Sequence, residues 1–169
     1  MSNPAWTKSA PPWFHLLVAN PSDTCDWLWA IANDSKHQVA ARLVRGRKST
    51  TPAHFFDEVA AALQFPHYFG ENWDALHDCL ADLSWLGAPS VVLCLADADQ
   101  LLAKSPADLK KLADVLQSAA KEMNQPAKPK SPRPFHVVLQ TTNGHEGAVK
   151  AAWEGAGVKL EGIVMGKKS

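Results

Sequence analysis

The sequence predicts an α/β fold: a small parallel sheet of three core strands, with one or two more from the terminal extensions, flanked by helices. Three observations predict it. Ser90–Ala96 is a continuous apolar run of strand length, the pattern of a strand buried on both faces. Phe135–Gln140 is a second such run. Between the strand candidates lie segments with helix-start signals and helical apolar spacing, and helical connections favour a parallel sheet with right-handed crossovers. The 169 residues suit one compact domain with extensions, and a core of that size forms without disulfides or metals.

Each element has its own signal. The first twelve residues hold three prolines and are expected to be loose. Trp13–Ala19 reads as a short strand and Cys25–Ala32 as a short helix. Gln38–Val44 alternates Val39, Ala41 and Leu43 against Arg42, a strand pattern. A helix start follows, with Thr50 or Thr51 to cap the first amides, Pro52 at the first helical position, and Asp57 and Glu58 close behind. Phe55, Phe56, Val59 and Leu63 give that helix one apolar face, and Pro66 is expected to end it. A loop through Gly70 leads to a second helix, Asn72–Leu83, with Asn72 as its cap.

After the strand Ser90–Ala96, Ser105, Pro106 and Asp108 resemble a capping box opening a helix with Leu109, Leu112, Leu116 and Met123 on its apolar side. Asn124–Pro134 carries four prolines and three bases, and reads as an exposed, solvated loop. Beyond Asn143-Gly144 the tail offers a helix at Val149–Glu154 and a strand at Val158–Met165. The expected organisation is an N-terminal extension (1–36), a main domain (37–142) and a C-terminal extension (143–169) packed on it.

Composition narrows the function. Three scattered cysteines with no CxxC pair and no His-rich cluster indicate neither a zinc site nor a redox motif, and no cofactor is expected. The apolar settings of Cys79 and Cys94 suit buried thiols in a reducing compartment. No run approaches the roughly 18 apolar residues of a membrane span, and Trp13–Ala19 is too short, and too interrupted by His15, for a secretory signal. A soluble, cytoplasmic protein is expected. The formal net charge is zero, yet Ser49–Ala103 holds eight acids and no Lys or Arg, between two basic flanks. Such a block speaks of a partner surface.

The informative stretch is Phe65–Leu86. Leu76, Cys79, Leu80 and Leu83 form a buried stripe with Trp73 beside it, all read as core, although Trp73 is also counted among the candidate partner-binding residues. Asp74 lies in the first turn, where the helix dipole favours it. Asp78 and Asp82 continue the same ridge at i+4 and i+8. Neighbouring like charges there cost about 0.2–0.5 kcal/mol per pair, and no Lys or Arg in the segment offsets them. A basic partner would supply the missing countercharge. Tyr68, the one tyrosine in the chain, precedes this ridge and presents a ring able to stack on such a partner.

The run Pro66-His-Tyr68-Phe-Gly70-Glu71-Asn72-Trp-Asp74-Ala75-Leu76-His-Asp78-Cys79-Leu80 resembles the signature of the barstar family, inhibitors of barnase-type ribonucleases. The order of elements from the strand near Gln38 to the strand ending near Thr141 is also similar. The resemblance implies a small parallel sheet flanked by helices and an inhibitory surface bearing Tyr68, Asn72, Asp74 and Asp78. It implies that Asp78 takes the place of substrate phosphate, that Asp74 pairs with a nearby basic side chain, and that Tyr68 packs on the catalytic histidine. Gly70 is expected to let the chain turn closely and to face the partner. His77 and Ala81 depart from the family's aromatic and hydroxyl residues. Asp82 extends the ridge, and in the helix before the last strand only Glu122, beside Lys121, matches the family's further acids. The expected partner is therefore a basic ribonuclease, with no direct contact to nucleic acid or membrane, and the free protein is expected to be a monomer.

Two other readings compete. A non-inhibitory interaction module on the same scaffold would keep the surface and lose the target. An enzyme or metal site using Asp74, His77 and Asp78, with His54 or His67, lacks any accompanying phosphate loop, nucleophile elbow or HExxH. Direct RNA binding is disfavoured because the signature is acidic, leaving only the basic loop Lys128–Arg133 as a contact.

Overall fold

The computed structural model describes residues 4–165. Five parallel strands, β1 (Phe14–Val18), β2 (Val39–Arg45), β3 (Ser90–Ala96), β4 (Phe135–Thr141) and β5 (Glu161–Gly162), form one sheet in the order β2-β3-β4-β1-β5. The helices are α1 (Pro21–Ala32), α2 (Pro52–Leu63), α3 (Trp73–Asp82), α4 (Leu109–Asn124) and α5 (Glu146–Gly155). β3 and β4 are buried at every residue, which is why both read as unbroken apolar runs.

The chain direction explains the layering. From β1 it crosses to the far edge at β2, then returns through β3 and β4 before stepping past β1 to β5. A right-handed crossover in one direction puts its helix on one face, and in the other direction on the opposite face. α1 therefore packs alone on one side, where Trp27, Leu28 and Ile31 cover Leu17, Ala41, Val92 and Val138. α2 to α5 share the other side, over Val44, Leu93, Leu95, Val137 and Leu139. That larger core contains Phe55, Leu76, Leu80, Leu116 and Trp153, all at most 1% exposed.

Local chemistry departs from the expectations at four places. α1 begins four residues earlier than Cys25, because Asn20 accepts from the Asp23 amide (2.8 Å) and Pro21 occupies the first helical position. α2 stops at Leu63, ahead of Pro66, because Gln64 adopts the left-handed conformation (φ 54°) and returns its N–H to Ala60. The start of α4 is not a capping box: Ser105 Oγ donates to the Asp108 carboxylate (2.5 Å), and a 3-10 turn at Pro106–Asp108 precedes the helix. The tail pairs with β1 over Glu161–Gly162 alone, since Val158 and Leu160 turn into the core as irregular chain. Of the twelve N-terminal residues expected to be loose, 1–3 lie outside the described residues. From Pro4 onward the segment is anchored, with Trp6 edge-on to His15, His136 and Trp27 at centroid distances of 5.2–5.7 Å.

Candidate functional site

α3 is a ten-residue helix whose two ends are both tied down. At its start the Asn72 side chain accepts from the Ala75 amide (2.8 Å) and donates to the Gly70 carbonyl (3.1 Å). Leu76, Cys79 and Leu80 bury its inner side. Trp73, read from the sequence as core and also counted as a partner-binding candidate, turns its ring inward: it packs on Phe56 at 4.9 Å and lies near parallel to Phe55 at 6.5 Å. Its residue type is spent on the core.

The outer side carries the carboxylates. Asp74, Asp78 and Asp82 are all exposed, and the Asp78 side chain is 84% accessible. Among the described residues, no Lys or Arg forms an ion pair with Asp74 or Asp78; the one ionisable partner is His77, whose Nδ1 lies 3.4 Å from Asp78 Oδ1. His77 is half-buried and joins α3 to α4, with Nε2 3.2 Å from Ser118 Oγ and 3.5 Å from Glu122 Oε2. Glu122 is thus brought beside Asp78 and Asp82, and the three acids line one groove of about 540 Å³ with Lys130 and Arg133 opposite.

The ridge is not uniform. Arg133 comes from the proline-rich loop before β4, and the reading of that loop as solvated fails for it. The guanidinium donates to the carbonyls of Ala88 (3.0 Å), Leu83 (2.8 Å) and Leu86 (2.5 Å). Burial lowers the Arg133 pKa and the nearby Asp82 charge pushes it back up. Arg133 thus lies close to the Asp82 end of the ridge, reaching its backbone carbonyl at 3.5 Å without an ion pair to its carboxylate, while Asp74 and Asp78 lie further along α3. Nothing in the run of prolines announces this contact; it joins residues about fifty apart in sequence.

The preceding loop places Tyr68 in the open, 68% exposed, while Phe69 packs edge-on to Phe56 and Phe65. The tight backbone is at Glu71 (φ 50°) rather than Gly70. Gly70 is close to the cap instead: a Cβ there would sit 3.1 Å from the Asn72 amide nitrogen, which would have to shift by a few tenths of an ångström. The loop, the helix start and α3 follow one another in the chain, so Tyr68, Asn72, Asp74 and Asp78 all reach solvent from one continuous stretch.

Cys79, on the buried side of α3, has its thiol pKa raised by burial first and by Asp78 and Asp82 second, which suppresses thiolate chemistry. No group of three or more His, Cys, Asp or Glu among the described residues is arranged to hold a metal ion, so Asp74, His77 and Asp78 do not converge on one point. No helix among the described residues is long and apolar enough to cross a membrane.

A family model described as Barstar (barnase inhibitor) matches residues 39–140, from the start of β2 into β4 and across all of α3. No curated protein matches the chain. Among solved structures, a chain in the structure of Drosophila ORC bound to AT-rich DNA and Cdc6 is similar at 16% identity and a TM-score of 0.44, covering 89% of this chain and 47% of that one. A chain in the structure of Drosophila ORC bound to GC-rich DNA and Cdc6 is similar at 13% identity and the same TM-score, covering 89% and 48%. The chain spans about half the length of these two.

Proposed function

The chain belongs to the barstar family, and from that premise we propose that it is a protein inhibitor that covers the active site of a basic, barnase-type ribonuclease with the exposed side of α3. One observation carries this reading: Asp74 and Asp78 stand exposed one helical turn apart, on a capped helix, and neither forms an ion pair with a Lys or Arg among the described residues. A ribonuclease has to stabilise a polyanion, so its site is lined with cations. Carboxylates already held in place pair with such a site at low ordering cost. In this reading Asp78 occupies the position of a substrate phosphate, Asp74 pairs with an adjacent cation, and Tyr68 lays its ring on the catalytic histidine. Glu122 and His77 form the rim. The protein itself performs no catalysis, and its two buried free thiols, Cys79 and Cys94, suit the reducing cytoplasm.

The test is titration of purified protein into RNA-cleavage assays of barnase and of other small basic ribonucleases. Stoichiometric loss of cleavage is expected for at least one of them. Binding without loss of activity, or no binding to any, would overturn the inhibitory reading.

A further inference from the structure

We propose that Arg133 is the positioning residue of the acidic face: it fixes the C-terminal end of α3, and so the placement of Asp78 and Asp82. This rests on the reading of α3 as the partner-binding helix. The last carbonyls of any helix lack intrahelical donors. Here Leu83, the residue that ends α3, adopts the left-handed conformation (φ 47°) although it is a fully buried leucine, a backbone state that L side chains take at a cost. The Arg133 guanidinium meets the chain at that point. Nη1 donates to Leu83 O (2.8 Å), Nη2 to Leu86 O (2.5 Å) and Nε to Ala88 O (3.0 Å), so one planar fork holds the helix end and the turn after it.

Arg133 is itself anchored. Its backbone N–H donates to Met123 O at the end of α4 (2.8 Å), so the fork is referenced to the helix that also carries Glu122. Its charge sits at the negative end of the α3 dipole and faces Asp82. Asn72 pins the other end of α3. With both ends held, a helix of ten residues, too short to be stable alone, presents its carboxylates in one arrangement. A lysine retains the charge and loses the fork. Charge and positioning are therefore separable by substitution.

The experiment compares wild type, Arg133→Lys and Arg133→Gln by amide hydrogen exchange and by stopped-flow binding with barnase as the probe. Exchange at Cys79–Leu83 is expected to accelerate about tenfold or more in both variants, with β3 and β4 amides unchanged. The barnase dissociation rate is expected to rise by about tenfold, the association rate moving much less. Unchanged exchange in α3, or full rescue of exchange and dissociation by lysine, overturns the proposal. Uniform acceleration across the sheet also overturns it, since that is general destabilisation. In wild type, amides of the last α3 turn that exchange as fast as an open loop refute it without any variant. If wild type fails to bind barnase and other basic ribonucleases, the inhibitor reading falls, while the exchange data still decide the role of Arg133.

Discussion

Nε2 of His15 lies 3.0 Å from Nδ1 of His136, across β1 and β4, and both rings are at most 5% exposed. His136 Nε2 in turn reaches Lys8 O at 2.8 Å, and Trp6 closes over both rings. Because Lys8 O can only accept, neutral His136 is the Nε2–H tautomer and its Nδ1 accepts from His15 Nε2–H. Burial, with His136 second, lowers the His15 pKa from 6.5 to about 4, and burial lowers that of His136. The folded protein then binds fewer protons than the unfolded chain between these values. Stability is full above about pH 6.5 and falls as the pH drops toward 4, by about 3 kcal/mol from His15 alone. Urea denaturation at stepped pH checks this, with His15→Gln as control; the variant is expected to show a shallower slope over that window.

Gly46 ends β2 under the turn that follows β3. A Cβ there would stand 2.3 Å from Asp97 O and 2.4 Å from Ala96 O, both backbone atoms that cannot swing aside. Gly46→Ala is therefore expected to cost about 3 kcal/mol by forcing the two strand ends apart. Equilibrium unfolding measures it, and a loss below about 0.5 kcal/mol would show that the turn yields easily.

Most elements were legible because their signals are local. The apolar runs of β3 and β4, the Thr51 cap with Pro52, and the Asn72 cap each sit within a few residues of what they specify. What escaped was non-local. The sequence of Phe14–Val18 suggests a strand, but its position between β4 and β5 depends on pairing with residues more than a hundred away. Trp6 looks like part of a proline-rich end until His15, His136 and Trp27 are assembled around it. At the site, the i, i+4, i+8 spacing placed three acids on one ridge, while the cation beside Asp82 belongs to a loop that composition marks as solvated. Trp73 beside the stripe was legible as core, and its ring packs there on Phe56.

Asp78 and Asp82 look equivalent in sequence and differ in surroundings. Asp78→Ala removes an exposed carboxylate that forms no ion pair with a Lys or Arg among the described residues, so stability should change by less than about 0.5 kcal/mol. Affinity for a basic ribonuclease should fall by about 3–5 kcal/mol, because the partner's buried cations lose their countercharge. Asp82→Ala should cost less affinity, since the nearby charge of Arg133, though not ion-paired to it, already offsets part of that carboxylate. Calorimetric titration of the two variants side by side checks the contrast; equal losses would remove the distinction drawn between them.

The whole chain is formally neutral, so steering by net charge predicts an association rate indifferent to salt. Steering by a local patch predicts otherwise, because an approaching cation responds to Asp74 and Asp78 at distances shorter than the screening length of dilute salt. Raising the salt from about 0.05 to about 0.5 M should slow association with a basic nuclease by on the order of tenfold, with little change in dissociation. Lys130 provides an internal gauge, since it lines the same groove as Asp78 and Asp82 and opposes their field. Lys130→Glu should speed association at low salt and steepen its salt dependence, whereas Lys150→Glu, on α5 rather than at that groove, should do neither. Stopped-flow association rates across a salt series decide between the two. Equal acceleration by both substitutions would mean that net charge, and not the α3 ridge, guides the encounter.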